Sequence, residues 1–173
     1  MKTRQITAGF LACVAAAHAP AAEPAKAAAE IINTAGEVIG EAAFEQTPSG
    51  VLIRVVVSGL TPGGHGIHLH SAGACSPDFG AAKGHINPDG KAHGLRHPDG
   101  PDNGDLPNLI AGADGRADAE FFTPRVTVLG GAQPALLDED GSAVIIHEHP
   151  DDHMTQPIGG AGGRVACGVV KAV

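Results

Sequence analysis

The stretch GGHGIHLHSAGAC, residues 63–75, sets three histidines and a cysteine among small and apolar residues. Side chains at i and i+2 of a strand leave the same face. The spacing of His68 and His70 therefore predicts two imidazoles projecting together, with Ile67 and Leu69 turned the other way. The run AVIIHEH repeats this alternation at His147 and His149. Apart from His18, the chain's 10 histidines are His65, His68, His70, His85, His93, His97, His147, His149 and His153. Imidazole suits copper and zinc, and carboxylates complete many zinc sites. The count and spacing point to a metalloprotein, with His65, in a glycine-rich turn, expected to hydrogen-bond rather than ligate.

Such a site needs rigid elements to hold it. The chain of 173 residues contains 5 Phe and no Trp or Tyr. Its interior must be built from Val, Ile, Leu and Ala, a composition that favours strands, and its 25 Gly and 13 Pro imply many turns. The length suits one domain with a proper core. EVIGEAAFEQ (37–46) and GVLIRVVVSGL (50–60), separated by a Pro-Ser-Gly signal, read as a hairpin. In the second run Val51, Ile53, Val55 and Val57 share one face, while Leu52, Arg54, Val56 and Ser58 share a mixed, partly wet one. GGHGIHLH continues as a further strand. From Ser71 to Asn108 the apolar periodicity vanishes, and a loop of that length has a function or an anchor. RADAEFFTP (116–124), SAVIIHEH (142–149) and, past a second glycine-rich loop, RVACGVVKAV (164–173) are again strand-like. These elements predict an all-β protein, a Greek-key β-barrel or immunoglobulin-like sandwich of about eight antiparallel strands with two long functional loops.

At the N-terminus, Lys2 and Arg4 precede an apolar stretch from Ile6 to Ala17 and the small-residue pattern Ala19-Pro20-Ala21. Residues 1–21 read as a secretory signal peptide, too short for a membrane span. Cys13 lies inside it, with an acylated, lipoprotein-type Cys13 as the alternative. Residues 22–34 are an N-terminal lead, of which AEPAKAAAE (22–30) is expected to be flexible or a frayed helical turn, and the domain proper spans 35–173. Cys75 and Cys167 should pair in an oxidising compartment, periplasmic or secreted. Cleavage removes Lys2 and Arg4 and makes the chain more negative than its formal −8, so no nucleic-acid partner is expected. No second apolar stretch of spanning length occurs.

From about residue 35 onwards the chain resembles the copper,zinc superoxide dismutases, particularly their secreted bacterial branch. The matching segments, in the family's order, are GLTPGGHGIHLH, GACSP, GHINPDGKAHG, GDLPNL, IIHEHPDD and GGAGGRVACGVV. The resemblance implies an enzyme that converts superoxide to dioxygen and hydrogen peroxide, with copper and zinc as cofactors, acting as a monomer or homodimer. It assigns copper to His68, His70, His85 and His147, with the His85 ring bridging to zinc, and gives His93 and Asp105 to the zinc side. Asp151 would hydrogen-bond ligand histidines of both metals, fixing their tautomers. Cys75 and Cys167 would form the family's disulfide. Arg164 would anchor the substrate anion, and His85 would carry a proton. Lys83 and Lys91 are candidate steering charges.

One segment departs from the family pattern. Where H-x-G-D is expected, the chain reads DNGD, with Asp102 in the position of a zinc-binding histidine. Asp102 could ligate in its place, His97 could swing in as a substitute, or zinc could bind weakly. His149 and His153 match no family ligand and are expected to be solvated. Two other functions compete with the enzyme: a domain that stores or delivers metal, and an adhesion domain with incidental histidines. A storage domain has little need of Arg164, and an adhesion domain does not explain the ordered ligand set.

Overall fold

The computed structural model describes residues 25–173; residues 1–21, read above as a signal peptide, and Cys13 among them lie outside this range. Within the described residues ten strands and one 3-10 turn follow one another. They are β1 (Lys26–Asn33), β2 (Val38–Thr47), β3 (Gly50–Val57), β4 (Gly63–His65), β5 (Ile67–His70), the 3-10 turn (Phe79–Ala82), β6 (Leu109–Ala111), β7 (Ala117–Thr123), β8 (Ala143–His147), β9 (Arg164–Val169) and β10 (Lys171–Ala172). One curled antiparallel sheet has the order β5-β8-β9-β1-β2-β3-β7, with β10 also paired to β1, while β4 and β6 form a separate ribbon. Strands β1, β2 and β3 are linked by hairpins and β9 returns beside β1, which is the spatial order of a Greek key. The expected all-β class is thus the observed one. Among the described residues, no helix is long and apolar enough to cross a membrane.

The lead is a correction. The segment read as flexible or helical, residues 22–30, runs into β1 (Lys26–Asn33), which is held by β2 on one side and by β9 and β10 on the other. Alanine favours helices, but Ala27, Ala29 and Ile31 alternate onto the core face and are at most 1% exposed. Tertiary burial at period 2 outweighs a weak local preference.

The β2–β3 hairpin pairs Thr47 with Gly50 across the short turn. Val51, Ile53, Val55 and Val57 are buried in the main core, whereas Leu52 and Val56 are half-buried and Arg54 exposed. Each such buried aliphatic side chain contributes about 1.5–3 kcal/mol. The same core takes Ile67 and Leu69 from β5 and Val144 and Ile146 from β8. On the other face of β8, Ala143 and Ile145 join Cys167, Ala82, Cys75 and Phe79 in a second, smaller cluster beneath the 3-10 turn. Because His68 lies opposite Ile145 and His70 opposite Ala143, the two imidazoles leave the sheet on this second face. Every residue of β5 and β8 is buried, so β8 is apolar up to His147 and the histidines of β5 are enclosed along with Ile67 and Leu69.

The outer edge of β5 is covered by the long loop. Leu69 N–H donates to the Gly104 carbonyl and its own carbonyl accepts from Ile86 N–H, both at 2.9 Å. Bridges also join His68 to Asp105 and His70 to His85. The loop thus satisfies the strand's free backbone groups, removing an exposed edge, and brings His85 and Asp105 against the strand histidines.

Candidate metal centre

Among the described residues five buried imidazole nitrogens lack any hydrogen-bond partner: His153 Nδ1, which stands apart, and His68 Nδ1, His70 Nε2, His85 Nε2 and His147 Nε2. Buried polar atoms are almost always satisfied, and an orphan costs about 1–3 kcal/mol. The rings of the last four are close, with centroids 4.2 Å apart for His68 and His85, 4.9 Å for His68 and His147, and 5.0 Å for His70 and His85. In each case the other ring nitrogen is engaged. His68 Nε2 donates to Asp151 Oδ2 at 2.9 Å, His70 Nδ1 to the Lys83 carbonyl at 2.9 Å, and His147 Nδ1 to the Gly162 carbonyl at 3.1 Å. Each of those bonds fixes the tautomer that leaves a lone pair on the unpartnered nitrogen. Burial pushes His68 and His147 down to about 4 and His70 down to about 2. All three are therefore neutral at pH 7, the form a metal ligand requires.

His85 faces two ways. Its Nδ1 is 2.9 Å from Asp102 Oδ2 and 3.5 Å from Asp105 Oδ1. His93 Nδ1 is 2.5 Å from Asp105 Oδ1. Donor atoms of His85, His93, Asp102 and Asp105 lie within 4.8 Å of one another, as do those of His68, His70 and His147. The backbone holds the two carboxylates in place. Asp105 Oδ2 accepts from Gly94 N–H at 2.7 Å and Asp102 N–H at 3.0 Å, and Asp102 Oδ1 from Gly104 N–H at 2.9 Å. One oxygen of each is thus anchored and the other turned to the imidazoles.

Without metal the imidazoles of His85 and His93 favour protons instead. Burial lowers His93, but its bonds to Asp105 and Asp151 outweigh that and raise it to about 10. Burial likewise opposes the charge on His85, yet Asp102 and Asp105 raise it on balance. Burial alone would raise Asp105 and Asp151, but their histidine partners hold both well below the carboxylate range. Asp151 joins the two halves, accepting from His68 at Oδ2 and, at 3.1 Å, from His93 Nε2 at Oδ1.

This donor set, four orphaned imidazole nitrogens beside two imidazoles and two carboxylates, fits a copper ion and a zinc ion sharing His85. A model of the family described as copper/zinc superoxide dismutase matches residues 38–170. The chain belongs to that family. It is similar to the copper/zinc superoxide dismutase of Caulobacter vibrioides, with 51% identity over 139 residues, 79% of this chain and 80% of the relative. It is also similar to superoxide dismutase [Cu-Zn] 2 of Aquifex aeolicus, at 43% over 172 residues, 98% of this chain and 99% of the relative. Among solved structures, a double mutant of a superoxide dismutase-like protein from Bacillus subtilis superposes with a TM-score of 0.79 at 41% identity, covering 82% of this chain and 95% of that one. The Cu/Zn superoxide dismutase from Brucella abortus does so at 0.71 and 28% identity, covering 84% and 99%.

Against this copper/zinc family pattern the remaining sequence candidates fall as follows. The Arg164 guanidinium spans the 3-10 turn, donating to the Phe79 carbonyl at 2.5 Å and the Lys83 carbonyl at 2.6 Å. Cys75 and Cys167 are joined in a disulfide. Asp102 is in the zinc-side cluster; His97 is outside every such cluster among the described residues, and its Nδ1 accepts from Asp99 N–H. His65 is buried, with Nδ1 2.6 Å from the His147 carbonyl and Nε2 2.8 Å from that of Thr61. His149 is exposed. His153 is a correction: its side chain is only 13% exposed, packed with Nδ1 3.4 Å from Asp151 Oδ2 and Nε2 3.3 Å from Asn108 Nδ2. Its backbone has a positive φ of 63°, a conformation that loop composition does not reveal.

Three supporting residues went unread in the sequence. Asn108 donates to the Asp151 carbonyl and accepts from its N–H, both at 2.8 Å. Gln156 clamps the His93 backbone in the same two-way fashion, at 2.9 and 2.8 Å. Arg125 donates to the carbonyls of Asp102 and Asp105. All three grip backbone, so no spacing of ligand types points to them.

Proposed function

We propose that the protein is a superoxide dismutase of the cell envelope, periplasmic or secreted, with copper held by His68, His70, His85 and His147. Zinc is held by His85, His93, Asp105 and Asp102, the last in place of the usual imidazole. The observation that carries this reading is the convergence of four buried nitrogens with no partner in the protein. When bound, copper supplies one-electron redox chemistry and zinc, which has none, supplies charge and a fixed geometry. Two superoxide anions and two protons become one dioxygen and one hydrogen peroxide.

The chain's own residues do the rest. Arg164 offers a cation at the site wall, held by two carbonyls, and attracts a small anion even though the whole molecule is negative, because local field governs capture. His85 Nε2 can hold a proton and give it to the peroxide product. Asp151 keeps the His68 and His93 rings in register, so that little rearranges during turnover.

The test is superoxide removal by the copper- and zinc-loaded protein, compared with His147→Ala. That variant deletes one of the four nitrogens and should lose at least about a hundredfold in rate, in keeping with the mutation of groups at a metal site. Undiminished activity in His147→Ala overturns the assignment.

A further inference from the structure

We infer that the ion pair between Lys83 and Asp140 is a clasp that sets the position of both His70 and Arg164, which makes Lys83 a positioning residue for the copper side of the site. The inference rests on the copper reading above.

Lys83 follows the 3-10 turn with φ 61° and ψ −145°. A residue bearing a Cβ enters this region only at a cost that glycine avoids, and such outliers persist where the surroundings hold them. What lysine has here and glycine lacks is the ammonium group, whose Nζ donates to Asp140 Oδ2 at 2.8 Å. Asp140 is itself tethered, its carbonyl accepting from Gly73 N–H at 2.8 Å. Gly73 lies just beyond His70 in the chain, and Asp140 just before β8. The clasp therefore links the 3-10 turn to the segments that leave β5 and enter β8.

The carbonyl of Lys83 accepts from His70 Nδ1 at 2.9 Å and from Arg164 Nη2 at 2.6 Å. Two donors use both of its lone pairs. A single displacement of this carbonyl thus turns the His70 ring, redirecting Nε2, and also shifts one arm of the guanidinium, whose other arm stays on Phe79. An exposed ion pair supplies little energy, but here it acts on the placement of two groups at once.

A rival role for Lys83, a free steering charge, makes the opposite forecast for its partner. If the local field alone mattered, removing the negative charge of Asp140 would strengthen anion binding and removing the positive charge of Lys83 would weaken it. A clasp weakens it when broken from either side.

The experiment uses the copper- and zinc-loaded protein with azide as the probe anion, read through the Cu(II) absorption and electron paramagnetic resonance spectra. Lys83→Met and Asp140→Asn should each weaken azide binding by about two- to fivefold, the range an exposed pair can support, and each should alter the Cu(II) resonance as His70 turns. Combining Lys83→Glu with Asp140→Lys should restore both readouts. Lys83→Gly relieves the backbone and should melt no lower than wild type, yet bind azide as weakly as Lys83→Met. Opposite effects of the two single variants, no effect of either, no recovery in the swapped pair, or wild-type azide affinity in Lys83→Gly overturns the clasp. A wild-type Cu(II) spectrum that does not respond to azide overturns the copper reading itself, and the clasp with it.

Discussion

In the proposed zinc site Asp102 would change charge as well as reach, since a carboxylate stands beside His85 where the family pattern has a neutral ring. Its geometry supports ligation, and Arg125, donating to the carbonyls of Asp102 and Asp105, brings a cation close to the added negative charge. Asp102→Asn should therefore lower zinc per chain while His97→Ala leaves it unchanged, measured by elemental analysis after dialysis. Equal zinc in both variants removes Asp102 from the ligand set. A second expectation concerns pH. In the metal-free protein, His93, raised to about 10, favours the folded state below the ordinary value of 6.5 and loses that contribution as pH climbs towards 10, and His85, also raised, acts in the same sense. His68 and His147, lowered to about 4, and His70, lowered to about 2, favour the fold above 6.5 and lose their contribution as pH falls towards 4. Asp105 and Asp151, held low, lose theirs only below the usual carboxylate range. Thermal melting of the metal-free protein should therefore peak near pH 6.5 and fall on both sides; a monotonic profile contradicts this charge assignment. At this scale legibility followed function type. The i, i+2 spacing of His68 and His70 declared itself, whereas His85, His93 and Asp105 are scattered through an aperiodic loop and were assigned through family resemblance. Asn108 and Gln156 act on main-chain atoms and carry no signal in residue type.

The elements that carry the ligands differ in how plainly they were written. Strand β3 alternates Val51, Ile53, Val55 and Val57 against a mixed face, and its buried and wetter sides matched that alternation. Strand β1 was hidden because alanine is a good helix former, so only its partners on both sides reveal it. Strand β8 was recognisable as an apolar run and β5 by its alternating histidines, but their burial on two faces depends on the loop and the 3-10 turn that cover them. The seam between loop and β5 leaves no room for a side chain. A Cβ at Gly104 would stand 2.2 Å from the Leu69 carbonyl oxygen and 3.1 Å from both His85 Cβ and Ile86 N. Two of these contacts are backbone atoms and cannot swing aside. Gly104→Ala should cost about 1–3 kcal/mol, the usual penalty for overpacking, and should release zinc more readily because Asp102 and Asp105 flank the displaced residue. Chemical denaturation and zinc transfer to a chelator measure the two effects. An alanine variant with wild-type stability and zinc retention means that the loop does not close on β5 at this point.

For the molecule as a whole, the metal centre and the disulfide fasten the same loop from different directions. Cys75 stands near the start of the segment that carries His85, His93, Asp102 and Asp105, and Cys167 stands on β9 opposite Ile32 of β1. The bridge spans 92 residues, so cutting it frees a long stretch in the unfolded chain and also loosens the 3-10 turn on which Arg164 rests. Removing a native disulfide from a small secreted domain costs about 2–5 kcal/mol, which for a chain of this size lowers the melting temperature by about 4–20 °C. Entropy in the unfolded state alone would leave metal affinity untouched, because it does not act on the folded protein. If the bridge also organises the loop, the ordering of each ligand side chain, about 0.5–1.5 kcal/mol, is transferred to the binding step. The Cys75→Ser, Cys167→Ser protein should then bind zinc about tenfold more weakly than the oxidised wild type while it remains folded below its melting point. A double variant that melts lower but binds zinc with unchanged affinity assigns the disulfide to the unfolded state alone, and leaves the backbone bonds of the loop to β5 as what organises the ligands.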